Sequence, residues 1–317
     1  MIFRKKLDVP CYGRMQFPSP IQFGKLLFHT LRELKHNDPL RMAAATAFFA
    51  TFALAPILII LIQILGLILD PQSLSDHLFG HLAEIVGNES VAQIRQTLEG
   101  FKKLANNWYV TVGGFIFLIF VATTLFTVIR HSLNQLWGVK PHNKRAFNVR
   151  LVNRLRAFAV IMVSGILFVA VLFGEGFLAL MNEYINELWP GSATILFVIL
   201  NQVISILIVT IWFAVIFKYL SDATLQWNTT IAGALFTGLL FTAGKLILGR
   251  ILALSNIQTI YGASGSFVLL LLFVFYSSFI LYYGAMFTRV WAEYNRSPIE
   301  PKRNAYKYVL SEVARES

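Results

Sequence analysis

The sequence predicts an all-α membrane protein: a bundle of six transmembrane helices with amphipathic helices at its interfaces. Three observations predict it. Hydrophobic residues make up 56% of the 317-residue chain and charged residues only 14%, against the roughly 25% charge of soluble domains. Six apolar stretches are long enough for helices that cross a bilayer, which takes roughly 20 residues. The Lys and Arg residues outside those stretches divide unevenly between the two sides, 22 against 3. By the positive-inside rule, that division places both termini in the cytoplasm.

The elements follow in order. Residues 1–41 form a basic cytoplasmic segment, within which Lys25–His36 reads as an amphipathic helix with Leu27, Leu31 and Leu34 on one face. Such a helix suits an anionic membrane surface, and equally a cap on the bundle. The membrane domain, residues 42–290, opens with Met42–Leu69, in which Pro56 predicts a kink. Val110–Ile129 follows, introduced by Trp108 and Tyr109 at the interface. The remaining spans are Ala157–Met181, Thr194–Phe217, Ile231–Leu254 and Ser264–Val290, and residues 291–317 form a cytoplasmic tail. In the outer loop, residues 70–109, Val91, Ile94, Leu98, Phe101 and Ala105 recur at helical spacing and predict a further amphipathic helix.

The formal net charge of +11 is therefore a topology signal, and nucleic acid is not expected as a partner. The basic cluster of Lys140, His142, Lys144 and Arg145 suits anionic headgroups on the cytoplasmic face, which with the surrounding membrane lipids are the partners expected. A single cysteine, Cys11, excludes an intrachain disulfide and a thiolate zinc cluster. The N-terminus, MIFRKKLDVP, has no apolar run after its basic residues, so a cleaved signal peptide is not expected.

Polar residues inside the spans are the candidate site. Lys245, Glu175, Gln63, Asn201 and Gln202 come from four different spans. At about 1.5 Å of rise per residue, all five fall in the outer half of the membrane. Burying such groups in hydrocarbon is costly, so a shared polar cavity open to the outside would hold them most cheaply. The alternative is that each joins helices or, like Lys245 with its long stem, reaches for the surface. Thr123, Thr124 and Thr127 are expected to bond their own helix backbone. His77, His81 and Glu84 share a helical face in the outer loop, but no further ligand accompanies them, so no metal is expected. No cofactor and no catalytic residue is expected either.

Four stretches carry a likeness: AAATAFFATFALAPILIILIQILG (43–66), HSLNQLWGVK (131–140), GALFTGLLFTAGK (233–245) and YGASGSFVLLLLFVFYSSFILYYGAMF (261–287). In this order they resemble the YihY/virulence factor BrkB family of bacterial inner-membrane proteins. Pro56, Asn134, Trp137, Tyr261 and Gly262, with Lys245, are the more specific positions, and the first five imply structural roles. Met286 stands where many members carry Glu, so a role for that Glu does not carry over. The resemblance implies a six-helix fold in the bacterial inner membrane. Of the activities it implies, a transporter or lipid exporter fits the polar outer half better than a membrane-tethered ribonuclease. The cytoplasmic acids, Asp222 among them, show no metal-ligand spacing with His. A non-catalytic envelope assembly factor is the other reading.

Overall fold

The computed structural model describes residues 18–65, 108–142, 193–254 and 265–308, with scattered positions between 76 and 99 and between 155 and 167. Six helices and four short strands follow: α1 (Pro20–Lys35), α2 (Pro39–Leu65), α3 (Trp108–Leu136), β1 (Val139–Pro141), α4 (Ala193–Val215), β2 (Ala223–Thr224), α5 (Trp227–Leu254), α6 (Gly265–Tyr294), β3 (Glu300–Pro301) and β4 (Ala305–Lys307). These bounds match five of the six expected spans. The sixth, Ala157–Met181, is described only in part, with residues 162–167 helical.

α1 starts where the sequence supplies a complete N-terminal signal. Ser19 accepts a hydrogen bond from the Gln22 N–H, the Gln22 side chain accepts one from the Ser19 N–H, and Pro20 takes the first helical position. α2 is helical throughout, Pro56 included. α3 outruns its expected span by about two turns. Its last residues, Arg130–Leu136, are held by protein contacts rather than by hydrocarbon, with Leu133 and Leu136 fully buried. Gly138 then turns the chain with φ +62. A Cβ there would lie 2.9 Å from the Tyr308 carbonyl oxygen, so a glycine at this left-handed position both permits the turn and admits the neighbouring strand.

α6 is the hub: it packs against α1, α2 and α5, while α2 also packs on α3 and α4 on α5. α5 and α6 approach closely through glycines. Cβ atoms built on Gly233 and Gly284 would come within 1.9 Å of Thr288 Oγ1 and Thr237 Oγ1 respectively. α4 ends in a π turn, Ile216–Leu220, from which the chain enters Ser221 and Asp222 in extended backbone at Ser221. Two antiparallel ladders, β1 with β4 and β2 with β3, tie the loops after α3 and α4 to the segment after α6. We call this the sheet end of the bundle.

The core is thickest towards the sheet end, around Leu133, Leu136, Trp137, Phe213, Phe217, Tyr282 and Phe287. The flanks are the reverse. Phe48, Phe52, Phe117, Phe120, Leu207 and Leu239 all face outward. Three helical stretches, Gln202–Leu220, Trp227–Leu248 and Val268–Tyr294, are long and apolar enough to cross a membrane. Leu207 and Leu239 lie on two of these stretches, and outward apolar side chains there are what a bilayer requires of its lipid-facing surface.

Candidate functional site

The most polar part of the described core lies at the sheet end. Arg130, on the last turns of α3, meets Asp222 with side chains only 6% and 8% exposed. Its Nε donates to Asp222 Oδ2 at 3.0 Å and its Nη2 to Oδ1 at 2.8 Å, a fork-to-fork pair. Asn134, one turn along α3, clasps the same residue from two sides. Its Nδ2 donates to Asp222 Oδ2 at 2.8 Å, and its Oδ1 accepts from the Asp222 backbone N–H at 2.9 Å. Both carboxylate oxygens are thus taken.

The surroundings complete the cluster. Lys302 donates its backbone N–H to the Asp222 carbonyl and its Nζ to the Ser221 carbonyl, at 2.8 and 2.7 Å. Trp137 Nε1 donates to the Ala285 carbonyl at 2.9 Å, joining the end of α3 to α6. Arg289 Nη1 donates to the Leu136 carbonyl, placing a cation at the C-terminus of α3, where the helix dipole favours it. Deeper in, the Tyr282 hydroxyl is hydrogen-bonded to Thr46 on α2. Every polar group named here has a partner, as burial requires. Outside the bundle, burial and neighbouring Tyr306 raise the Tyr308 phenol above its usual pKa.

The residues singled out from sequence fare differently. Asn134 and Trp137 belong to this cluster, and their motif is what builds it. Lys245 is half-buried on α5 and has no ion pair or hydrogen bond among the described residues. It stands two turns beyond Gly238, whose added Cβ would lie 2.7 Å from Thr210 Oγ1 of α4. Because α4 and α5 run antiparallel, Lys245 and Gln202 both lie about 10–12 Å along their helices from that contact. Gln202 is exposed. Gln63 and Asn201 lie in α2 and α4, but their side chains fall outside the described residues, as does all of Glu175, Tyr261, Gly262, His77, His81 and Glu84. So does the Pro56 side chain. Thr123, Thr124 and Thr127 donate to the carbonyls of Phe120, Phe120 and Thr123, as expected. His142 is exposed and stands edge-on to Tyr306.

Sequence reasoning missed Arg130, Asp222, Tyr282 and Thr46 as site residues. Arg130 and Asn134 are one turn apart on one face, which was a legible hint. That Asp222 answers them from 92 and 88 residues away was not.

The architecture defines a helical protein embedded in a membrane. Residues 30–307 match the family described as Virulence factor BrkB, and the chain belongs to that family. It is similar to membrane proteins designated UPF0761. With that of Saccharophagus degradans it shares 24% identity over 280 residues, 87% of this chain and 61% of the relative. With that of Azotobacter vinelandii it shares 26% over 276 residues, 86% and 64%. With that of Pseudomonas paraeruginosa it shares 25% over 288 residues, 86% and 63%. The chain spans less than two thirds of the length of these relatives. No solved structure matches it.

Proposed function

We propose that the chain is a transporter of the bacterial inner membrane, with both termini cytoplasmic and with a lipid-like substrate that has a polar head and an apolar body. The observation that carries this reading is the contrast between Arg130 and Lys245. Arg130 is fully engaged at the sheet end, whereas Lys245, in the outer part of the membrane-crossing stretch Trp227–Leu248, has no partner among the described residues. A cation at such depth is stable only where water, an acid or a ligand can reach it. Gln202 stands level with it on α4, and Gln63, Asn201 and Glu175 are the further polar groups assigned to the same outward-facing cavity. Tyr276 sets its hydroxyl against Gly244, bringing α6 to the same depth.

A ribonuclease reading needs a cytoplasmic acid free to act as base. Asp222 is held by Arg130 and Asn134 through both oxygens, which removes it from that role. RNA hydrolysis that copurifies with the protein and disappears on changing His142 would restore that reading.

The test is reconstitution of the purified chain into vesicles carrying a fluorescent phospholipid in the inner leaflet, with dithionite quenching from outside. The chain is expected to accelerate appearance of the lipid outside. Lys245→Ala is expected to slow it about tenfold, the loss of one charged contact. A rate equal to that of empty vesicles, or one unchanged by Lys245→Ala, would overturn the proposal.

A further inference from the structure

We infer that α1 is an interfacial helix whose free face binds the anionic leaflet in which the bundle is set. Its sequence carries three faces, not two. At about 100° per residue, Phe23, Leu26, Thr30 and Leu34 fall on one side. Leu26, Thr30 and Leu34 are buried there, and Phe23 meets the Phe287 ring edge-on at 6.1 Å. Nearby, the Tyr283 hydroxyl donates to the Leu27 carbonyl at 3.2 Å. This side belongs to the bundle.

Opposite it runs a second apolar stripe that the described residues leave exposed. Ile21 is 75% exposed, Phe28 71% and Leu31 50%. Gly24 lies within the same stripe, and a side chain added there would meet nothing within 4 Å. Between the stripe and the bundle side stands the third face, where Lys25, His29, Arg32 and His36 are exposed, with exposed Lys35 at the end of the apolar stripe. Leu31, expected from sequence to share one face with Leu34, belongs to the free stripe instead.

Two features select lipid as the occupant. The first is charge: Lys25, Arg32 and Lys35 border the stripe, and Glu33 is the only acid in the helix, which matches anionic headgroups. The second is place. α1 lies across Tyr283–Tyr294, the last turns of a helix that crosses the membrane, with the Tyr294 hydroxyl donating to Gln22. A helix beside those turns has the bundle on one side, acyl chains on the other and water above, the order of its three faces. Exposed Trp227, at the start of α5, and Tyr219, in the π turn after α4, suit the same level. The inference does not depend on transport.

The experiment places nitroxide labels singly at positions 28, 29, 31 and 32 of the full chain carrying Cys11→Ser. The labelled protein is reconstituted in phosphatidylcholine alone or mixed with phosphatidylglycerol. Labels at 28 and 31 are expected to meet oxygen more readily than a water-soluble nickel chelate, and those at 29 and 32 the reverse. Native-state lipid analysis is expected to show phosphatidylglycerol enriched around the protein, and the enrichment lost in Lys25→Gln/Arg32→Gln/Lys35→Gln. Nickel access at 28 equal to that at 29 would show a face in water and overturn the inference. Shielding of 28 from both reagents would show protein cover and overturn it too. Enrichment unchanged by the triple substitution would remove the headgroup contact.

Discussion

Thr237 and Thr288 are counterparts across the α5–α6 pair. Thr237 donates its hydroxyl to the Gly233 carbonyl, and Thr288 donates to the Gly284 carbonyl, each one turn back on its own helix. Each then covers the glycine of the other helix, Thr237 over Gly284 and Thr288 over Gly233. With its hydroxyl satisfied internally, each threonine offers the other helix a compact surface, and two antiparallel Gly-x-x-x-Thr segments close on each other.

Gly284→Ala is therefore expected to destabilise the protein by about 1–3 kcal/mol, the usual cost of overpacking. Thr237→Ala should relieve it only in part, because the added Cβ would still lie 2.8 Å from the Thr237 Cβ. Thermal unfolding of the purified variants checks this. A Gly284→Ala protein as stable as the parent would show that the helices separate without cost.

Asp222→Ala strands a buried guanidinium. The expected loss is about 3–5 kcal/mol, as for other buried pairs that lose one member. Replacing Arg130 by Met in addition is expected to return part of that loss, so the double change should cost less than the sum. Additive costs would mean that the pair is not coupled in the folded protein.

Trp137→Phe keeps most of the buried ring but leaves the Ala285 carbonyl without its indole donor. A loss of about 1 kcal/mol is expected, the net worth of one hydrogen bond. Trp137→Ala should cost about 3–5 kcal/mol through the cavity it opens. Equal losses for the two variants would assign the whole effect to the hydrogen bond.

Cysteines introduced at Ser73 and Asn186 into a Cys11→Ser chain are expected to react with an impermeant maleimide in intact cells, and one at Ser311 to react only after lysis. Labelling at Ser311 in intact cells would reverse the assigned orientation, which rests on the 22-to-3 division of basic residues.

Lys245→Ala and Glu175→Ala, combined, are expected to impair function less than their separate effects predict, because removing one charge leaves the other unpaired in the membrane. Strict additivity in the vesicle assay would show that the two do not share a cavity.

The helices were legible because hydrocarbon imposes a long, nearly uncharged run that few other environments favour. Five expected spans coincide with α2 to α6 to within a few residues, except where α3 continues past Ile129 on protein contacts instead of lipid. The strands were not legible: two or three residues such as Ala223–Thr224 carry no periodicity, and pairing partners distant in sequence fix them. The same distance hid Asp222. Asn134 and Trp137 stood out through their motif, while the residues that answer them, Asp222 and Ala285, have no local mark. The faces of α1 were half legible, since periodicity finds apolar residues without saying whether protein or lipid covers each.

The ladders have a consequence for how the protein is made. Val139 pairs with Lys307, more than half the chain away. Helices inserted one after another during translation can pack as they arrive, but the seam between β1 and β4 cannot form until residue 307 has left the ribosome. Until then the loop after α3 lacks its ladder, and Asp222 lacks the contacts supplied by Lys302. Closure of the sheet end is thus a late step of biogenesis, and a nascent chain stalled before residue 300 would wait in the membrane with its helices in place and that end unsealed.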